Sequence, residues 1–398
     1  MAPAYAPPGV RREAFAAPAP AGLRTGVPAF LGLAAAGRVN EPVELVRGAD
    51  FPAHFGASPA GGCLAAAVSA FFRNGGERCH VVRLASVEGG GAPAERAALL
   101  RGLDAARALD TVDLVCAPDL MGALAAGARC RPATADEHAA AVALQGDVLE
   151  HCDRVGDRMA LLDAAPGASP AEVLAQRELL WGTNGALYYP WLLAEGAGTA
   201  GGAALVPPCG HVAGVYARGD ARAGVHKAPA NEPLEGVLDL ERLLDDADQR
   251  ELNPCGVNCI RAFPGRGVRV WGARTLSRDG AWRHVGVRRV FLTVGRWIER
   301  NLAAAAFEPS TPLLWARIGR EVGAYLAELF RRGALQGRTP AEAFYVHCDA
   351  SVNPRDVREA GVVVIEIGLA PVVPNEFVVV RFTHGPGGVD LAGPGPAA

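Results

Sequence analysis

"PVVPNEFVVVRFTHGPGG", residues 371–388, poses the question that organises the rest of the chain. Its middle, Phe377 to Phe382, is a β-branched and aromatic run of strand length. Pro374 stands before this run, and Gly385-Pro386-Gly387-Gly388 follows it, ahead of a tail poor in large apolar residues. A strand left at such an end exposes an edge that invites aggregation. It therefore needs a sheet to join.

Working outward, residues 1 to about 20 hold several prolines and little periodicity, and read as an extended arm. "TGVPAFLGLA" (25–34) reads as a strand. Ser58-Pro59 offers an N-cap and a first-turn proline ahead of Leu64, Ala67, Val68, Phe71 and Phe72 at helical spacing, with Asn74-Gly75 as the stop. Strand and helix then alternate: "CHVVRLA", a helix over 95–109, "VDLVCAP", a helix over 135–153, "RMALLDA", and a helix opened by the capping box Ser169-Pro170-Ala171-Glu172. "GALYYPWLL" follows as one strand. This rhythm predicts a layered α/β domain with a largely parallel sheet.

From about residue 230 the rhythm changes. "VNCIRAFPGRGVRVWGARTL" predicts two strands turned at Pro264 to Gly267. Long helices are expected over 287–305 and 312–332. The second carries an apolar stripe of Leu314, Ile318, Val322, Tyr325, Leu326 and Leu329, with Gly333 just past its end. "AFYVHCDA" and "GVVVIEIGLA" are strands, so this part reads as α+β.

Composition narrows the function. Half of the 398 residues are hydrophobic, enough for a sizeable core. The net charge of -3, from 39 basic and 42 acidic residues, argues against a nucleic-acid binder. Nine scattered cysteines suggest reduced thiols of a cytoplasmic product. The N-terminus has no apolar signal-peptide core, and "GVVVIEIGLAPVV" is interrupted by Glu366 and Pro371, so membrane insertion is not expected. Walker A and G-x-S-x-G motifs are absent, and Cys255 and Cys259 have no second pair at zinc-like spacing. A Rossmann-like α/β enzyme remains an alternative, although the first βα turn lacks the phosphate fingerprint. A polymerising adaptor with exchanged strands is a third reading.

"LNPCGVNCIRAFPGRGVRVWGARTL" (252–276) closely resembles the C-terminal signature of contractile tail sheath proteins, of phage tails and phage-tail-like injection systems. The resemblance continues through "VRRVFLTVGRWIER", "FEPSTPLLWARIGREVGAYLAELFRRGALQG", "EAFYVHCDASVNP" and "GLAPVVPNEFVVVRF". "VPPCGHVAGVYARGDARAGVHKAPAN" (206–231) and, near the front, "YAPPGVRREAF" and "TGVPAFLG" also fit. The arm departs from the family in placing Arg11-Arg12 ahead of a single acid, Glu13.

The resemblance implies a non-enzymatic structural subunit that needs no cofactor or metal. It implies an N-terminal exchange arm (1–20), an outer, sandwich-like α/β domain (21–230), an inner α+β sheath domain (231–370) and a C-terminal exchange arm (371–398). The inner domain would be completed by strands exchanged between subunits. Implied partners are further copies, in helically stacked hexameric rings, an inner tube protein, baseplate and terminal cap proteins, and paralogous sheath subunits. The product would be made in the cytoplasm and built into a phage tail or tail-like particle. Donated strands are expected at Val10 and at Phe377, Val378, Val379, Val380, Arg381 and Phe382. Acceptor strands are expected around Phe344 and Val346 and around Val363, Ile365 and Ile367. Arg317, Arg320, Arg331 and Arg332, on the second long helix, are candidate contacts to acidic groups of the tube.

Overall fold

Strand and helix alternate as expected, and the alternation builds three layers. The computed structural model describes residues 23–372, apart from 57–58, 60, 87–90, 126–132, 196–201 and 306, together with residues 378–385 and 388–392. Val10, Ser58 and Phe377 lie outside the described residues. The chain runs through β1 (Pro28–Gly32), β2 (Val43–Leu45), α1 (Phe51–Phe55), α2 (Leu64–Arg73), β3 (Cys79–Arg83), α3 (Gly91–Arg107), β4 (Leu114–Cys116) and α4 (Asp119–Gly122). It continues with α5 (Ala135–Val155), β5 (Met159–Asp163), α6 (Pro170–Leu179), β6 (Gly185–Tyr189), β7 (Leu192–Ala194), β8 (Ala204–Val206) and α7 (Cys209–Arg222). β9 (Glu232–Pro233), β10 (Val237–Leu240), α8 (Asp246–Leu252), β11 (Val257–Phe263) and β12 (Gly267–Val270) follow.

One sheet has the order β2-β3-β1-β4-β5-β6-β11-β12-β9. Its six strands from β3 to β11 are parallel, and the edges are antiparallel. Side chains alternate between two cores. Ala29, Leu31, Val82 and Leu162 face α3, α5, α6 and α8, whereas Phe30, Val81 and Leu161 face α1, α2 and α7. Strands covered on both faces read as unbroken apolar runs, which is why the sequence signals them so strongly.

The α/β unit is layered helix–sheet–helix. Two expectations need correcting. The boundary at 230 does not interrupt this unit, because β9, β11 and β12 extend the same sheet. "GALYYPWLL" divides at Pro190, which has no N–H for a ladder: β6 stays in the large sheet, while β7 joins the separate sheet β10-β7-β8.

A third correction is instructive. Helix α2 starts at Leu64, beyond Ser58-Pro59. Its first amides are served from a distance by Asp119, which accepts hydrogen bonds from the backbone N–H of Cys63 and of Leu33, each at 2.6 Å. Asp163, at the end of β5, does the same for α7 by accepting the Cys209 N–H at 2.8 Å. Helix N-termini at the carboxyl edge of parallel strands are where such folds bind anions. Here both are occupied by the chain's own carboxylates. Helix α7 lies close on α2 because Gly210 and Gly214 have no side chain; a Cβ on Gly210 would come within 2.4 Å of the Ala67 carbonyl oxygen.

The remaining chain forms α9 (Val285–Leu302), α10 (Pro312–Arg331), α11 (Pro340–Ala343), β13 (Phe344–His347), α12 (Arg355–Glu359), β14 (Val363–Leu369), β15 (Val378–Gly385) and β16 (Gly388–Ala392). Helix α9 belongs to two cores. Val285 and Leu292 join the core of α2 and α7, while Val290, Phe291, Val294, Trp297 and Ile298 join a third core with α10 and β14. The expected stripe on α10 is buried from Leu314 to Leu326, and the Trp297 and Tyr325 rings stack with centroids 4.2 Å apart.

Polar chemistry fixes α9 in place. Arg289, 3% exposed, donates to both Asp220 carboxylate oxygens (2.7 and 2.6 Å) and to Asp113 at 2.8 Å. Asp113 also accepts the N–H groups of Gly26 and Val27. Burial opposes the Arg289 charge, but the two carboxylates outweigh it and hold its pKa above the usual value. For Asp220, burial outweighs the guanidinium and raises the pKa.

Removing one member of a buried ion cluster strands the others and costs roughly 3–5 kcal/mol. Arg289→Met is expected to lose about that much in urea unfolding, whereas Arg355→Met, which breaks only the exposed pair with Glu359, should lose at most about 1 kcal/mol. A second prediction concerns pH. Burial pushes the Asp163 carboxyl up to about 7 from 3.8. The folded state then binds the proton more tightly, so this group's contribution falls as pH rises from about 4 to about 7 and is flat above. Unfolding of Asp163→Asn, measured against pH, should show a smaller loss of stability than the parent over that window.

Candidate assembly interface

The outlying sheet is built from local alternation. In β14, Ile365, Ile367 and Leu369 are fully buried against the third core, while Val363, Val364 and Glu366 are half-buried. β13 pairs antiparallel with β14, from Phe344 opposite Leu369 to His347 opposite Glu366. Beyond that pairing the Asn353 amide takes over: its Nδ2 donates to the Val364 carbonyl (2.9 Å) and its Oδ1 accepts the Val364 N–H (2.7 Å). Asn353 is fully buried. Gly368 leaves room for the Tyr345 ring, which a Cβ would approach to 2.1 Å.

The other edge of β14 carries β15 along its whole length. Val378, Val380 and Phe382 are the Cα partners of Leu369, Ile367 and Ile365, and Arg381 is opposite Glu366. β16 extends the sheet to the order β13-β14-β15-β16. The residues expected as acceptors, Phe344, Val346, Val363, Ile365 and Ile367, thus form one sheet with the expected donor strand, Val378 to Phe382. In this single chain, donor and acceptor belong to the same molecule.

Arg317, Arg320 and Arg331 of α10, with Arg332 at its C-cap, lie along a groove of about 1060 Å³ between that helix, the end of α7 and residues 23–27. They are not a bare positive stripe. Arg317 pairs with Glu308 at 2.6 Å and approaches Glu321 at 4.0 Å, and Arg331 and Arg332 both pair with Glu328. Arg320 has no carboxylate partner among the described residues and donates to the Ala316 carbonyl at 3.3 Å. The acids that neutralise this helix sit three or four residues away or in the preceding loop. Helical spacing of the glutamates gave that signal, and a search for arginines alone misses it.

Chemistry elsewhere is plain. Among the described residues no three His, Cys, Asp or Glu side chains cluster to hold a metal, and no helix is long and apolar enough to cross a membrane. Cys259 is buried in β11 and Cys255 is exposed; both are free thiols. His211 is buried in α7, and burial lowers its pKa to about 4.

Residues 117–276 match the family described as phage tail sheath protein central domain, and residues 277–384 match phage tail sheath C-terminal domain. The chain is 29% identical over 185 residues to the tail sheath protein of Salmonella phage ViI, an alignment that spans 44% of this chain and 28% of that protein. Among solved structures, the helical sheath of the anti-feeding prophage in its contracted state is similar with a TM-score of 0.71 and 29% identity, covering 96% of this chain and 100% of that one. The sheath complex of an extracellular contractile injection system, PVC, in its contracted state gives 0.68 and 26%, covering 97% and 99%. The Listeria innocua sheath tail protein Lin1278 shares the fold at 13% identity, with a TM-score of 0.62 and coverage of 90% and 95%. Two adjoining family matches and full-length likeness to sheath subunits lead to one conclusion: this chain belongs to the phage tail sheath family.

Proposed function

We propose that this chain is the structural subunit of a contractile sheath, stacking as hexameric rings around an inner tube and shortening to drive that tube through a target envelope. The observation that carries the reading is likeness over 96–97% of the chain to subunits of contracted sheaths at 26–29% identity. Helical assembly and association with a baseplate fit relatives taken from sheath and baseplate structures.

Subunits are knitted by exchanged strands in this proposal. Residues 378–382 of one copy occupy, on a neighbour's β14, the register that β15 holds here within one chain. A swapped strand keeps the same ladder of main-chain hydrogen bonds, each worth about 1 kcal/mol net, so exchange costs little in pairing. Residues 1–20, around Val10, supply the second donated strand. Contraction draws on rearranged interfaces, small per subunit and summed over many rings, while the arms act as hinges. The tube is gripped by α10. Exposed ion pairs such as Arg317–Glu308 and Arg332–Glu328 contribute only about 0–1 kcal/mol each, so an acidic partner can compete for those arginines.

Cysteine pairing tests the exchange. Glu366 and Arg381 are Cα partners, so chains carrying Glu366→Cys and chains carrying Arg381→Cys are mixed, assembled with tube protein and oxidised. Covalent dimers are expected; assembled particles that yield none would overturn the exchange. Deleting residues 374–398 should leave a folded subunit that forms no sheath by negative-stain microscopy. Reversing Arg317 and Arg320 to Glu should weaken co-sedimentation with the tube roughly tenfold at low salt, and unchanged binding would remove α10 from the contact.

A further inference from the structure

Where β1 begins, beside the C-terminal turns of α9, lies a pocket of about 350 Å³. Arg24, Arg78, Arg296 and Arg300 line it with Thr111 and Asn301, and no Asp or Glu is among its lining residues. Arg296 and Arg300 reach it from one face of α9, four residues apart. Arg24 comes from the segment ahead of β1, and Arg78 precedes β3.

Arg296 is the informative member. It is 5% exposed; its Nη2 donates to the Asp110 carbonyl at 2.9 Å, while Nε and Nη1 are buried without a hydrogen-bond partner. Nε of Arg78 is in the same condition, although Nη1 of that residue pairs with Glu44. Arg24 and Arg300 have no ion-pair partner among the described residues. The uncharged lining groups are already engaged: the Thr111 hydroxyl meets His80 Nε2 at 3.0 Å, and Asn301 Nδ2 donates to the Trp297 carbonyl at 2.8 Å. Buried donors are almost always satisfied, and guanidinium groups sharing a small, partly dry space repel. Both problems disappear if an anion with several oxygens sits between them.

We propose that this pocket binds a multivalent oxyanion of the phosphate class. Planar guanidinium forks match phosphoryl oxygens in pairs, and four of them suit two linked phosphoryl groups better than a single carboxylate. The volume lies at the small end for ligand pockets, enough for pyrophosphate or for the terminal phosphates of a nucleotide whose base stays outside. The bound anion would tie Arg24, at the root of residues 1–22, to α9. This site lies away from the sheet edge and adjoins the α10 groove, with which it shares Leu23, Arg24, Val27 and Arg78; Arg296 and Arg300 belong to it alone, and it does not depend on the sheath reading.

The test uses the full-length unassembled chain, with titration calorimetry and thermal unfolding at constant ionic strength. Pyrophosphate should bind saturably at one site and raise Tm by at least about 2 °C at ~100 times its Kd. Arg24→Gln and Arg300→Gln alter exposed positions and should each weaken binding about tenfold. Arg355→Gln, which lies outside the pocket, should not. ATP binding as tightly as pyrophosphate identifies a nucleotide tail as the ligand, and weaker ATP binding identifies the free oxyanion. A response to pyrophosphate no larger than that to sodium chloride would overturn the proposal. So would undiminished binding to the folded Arg24→Gln/Arg300→Gln double variant.

Discussion

The Arg289 guanidinium, held between Asp113 and Asp220, is the joint on which the rest of this molecule hangs. Asp113 precedes β4 and orders the backbone that leads into β1, Asp220 lies near the end of α7, and Arg289 is on α9. Three elements far apart in sequence are thus locked by directional bonds in a place that water does not reach. Because α9 serves both the α/β layers and the C-terminal core, fixing it sets how the second unit sits on the first. A buried cluster tolerates little misalignment, so the two units are expected to move as one body.

The periphery is held by different physics. β15 is attached through one edge of β14. Arg317, Arg331 and Arg332 sit in exposed pairs with glutamates that can change partner at small cost. A rigid centre with lightly held edges suits the strand exchange proposed above. At the carboxyl edge of the parallel strands, the amides that open α2 and α7 are occupied by Asp119 and Asp163.

Much of this was legible from local signals. Ser169 and Glu172 form the expected capping box, the turn at Pro264 to Gly267 joins antiparallel β11 and β12, and the α10 stripe is buried. In each case the interacting groups are neighbours in sequence, so their spacing carries the information. The failures share the opposite property. The start of α2 depends on Asp119, 56 residues from Cys63. The sheet crosses residue 230 because β11 finds β6, and no periodicity announces which strand a strand will join. The α10 arginines read as a charged face, but Glu308 approaches Arg317 only once the α9–α10 loop has folded.

By itself the sequence determined the elements, the apolar faces they would bury and the kinship with sheath subunits, because helical and strand periods and ordered motifs are written in consecutive residues. Tertiary structure alone decided which charges are neutralised and which remain unanswered. Arg289 and Asp113 are 176 residues apart and meet; Arg296, seven residues further along the same helix, is buried with two nitrogens unpaired. Both are arginines on one amphipathic helix, and only the packing of distant elements around that helix tells them apart.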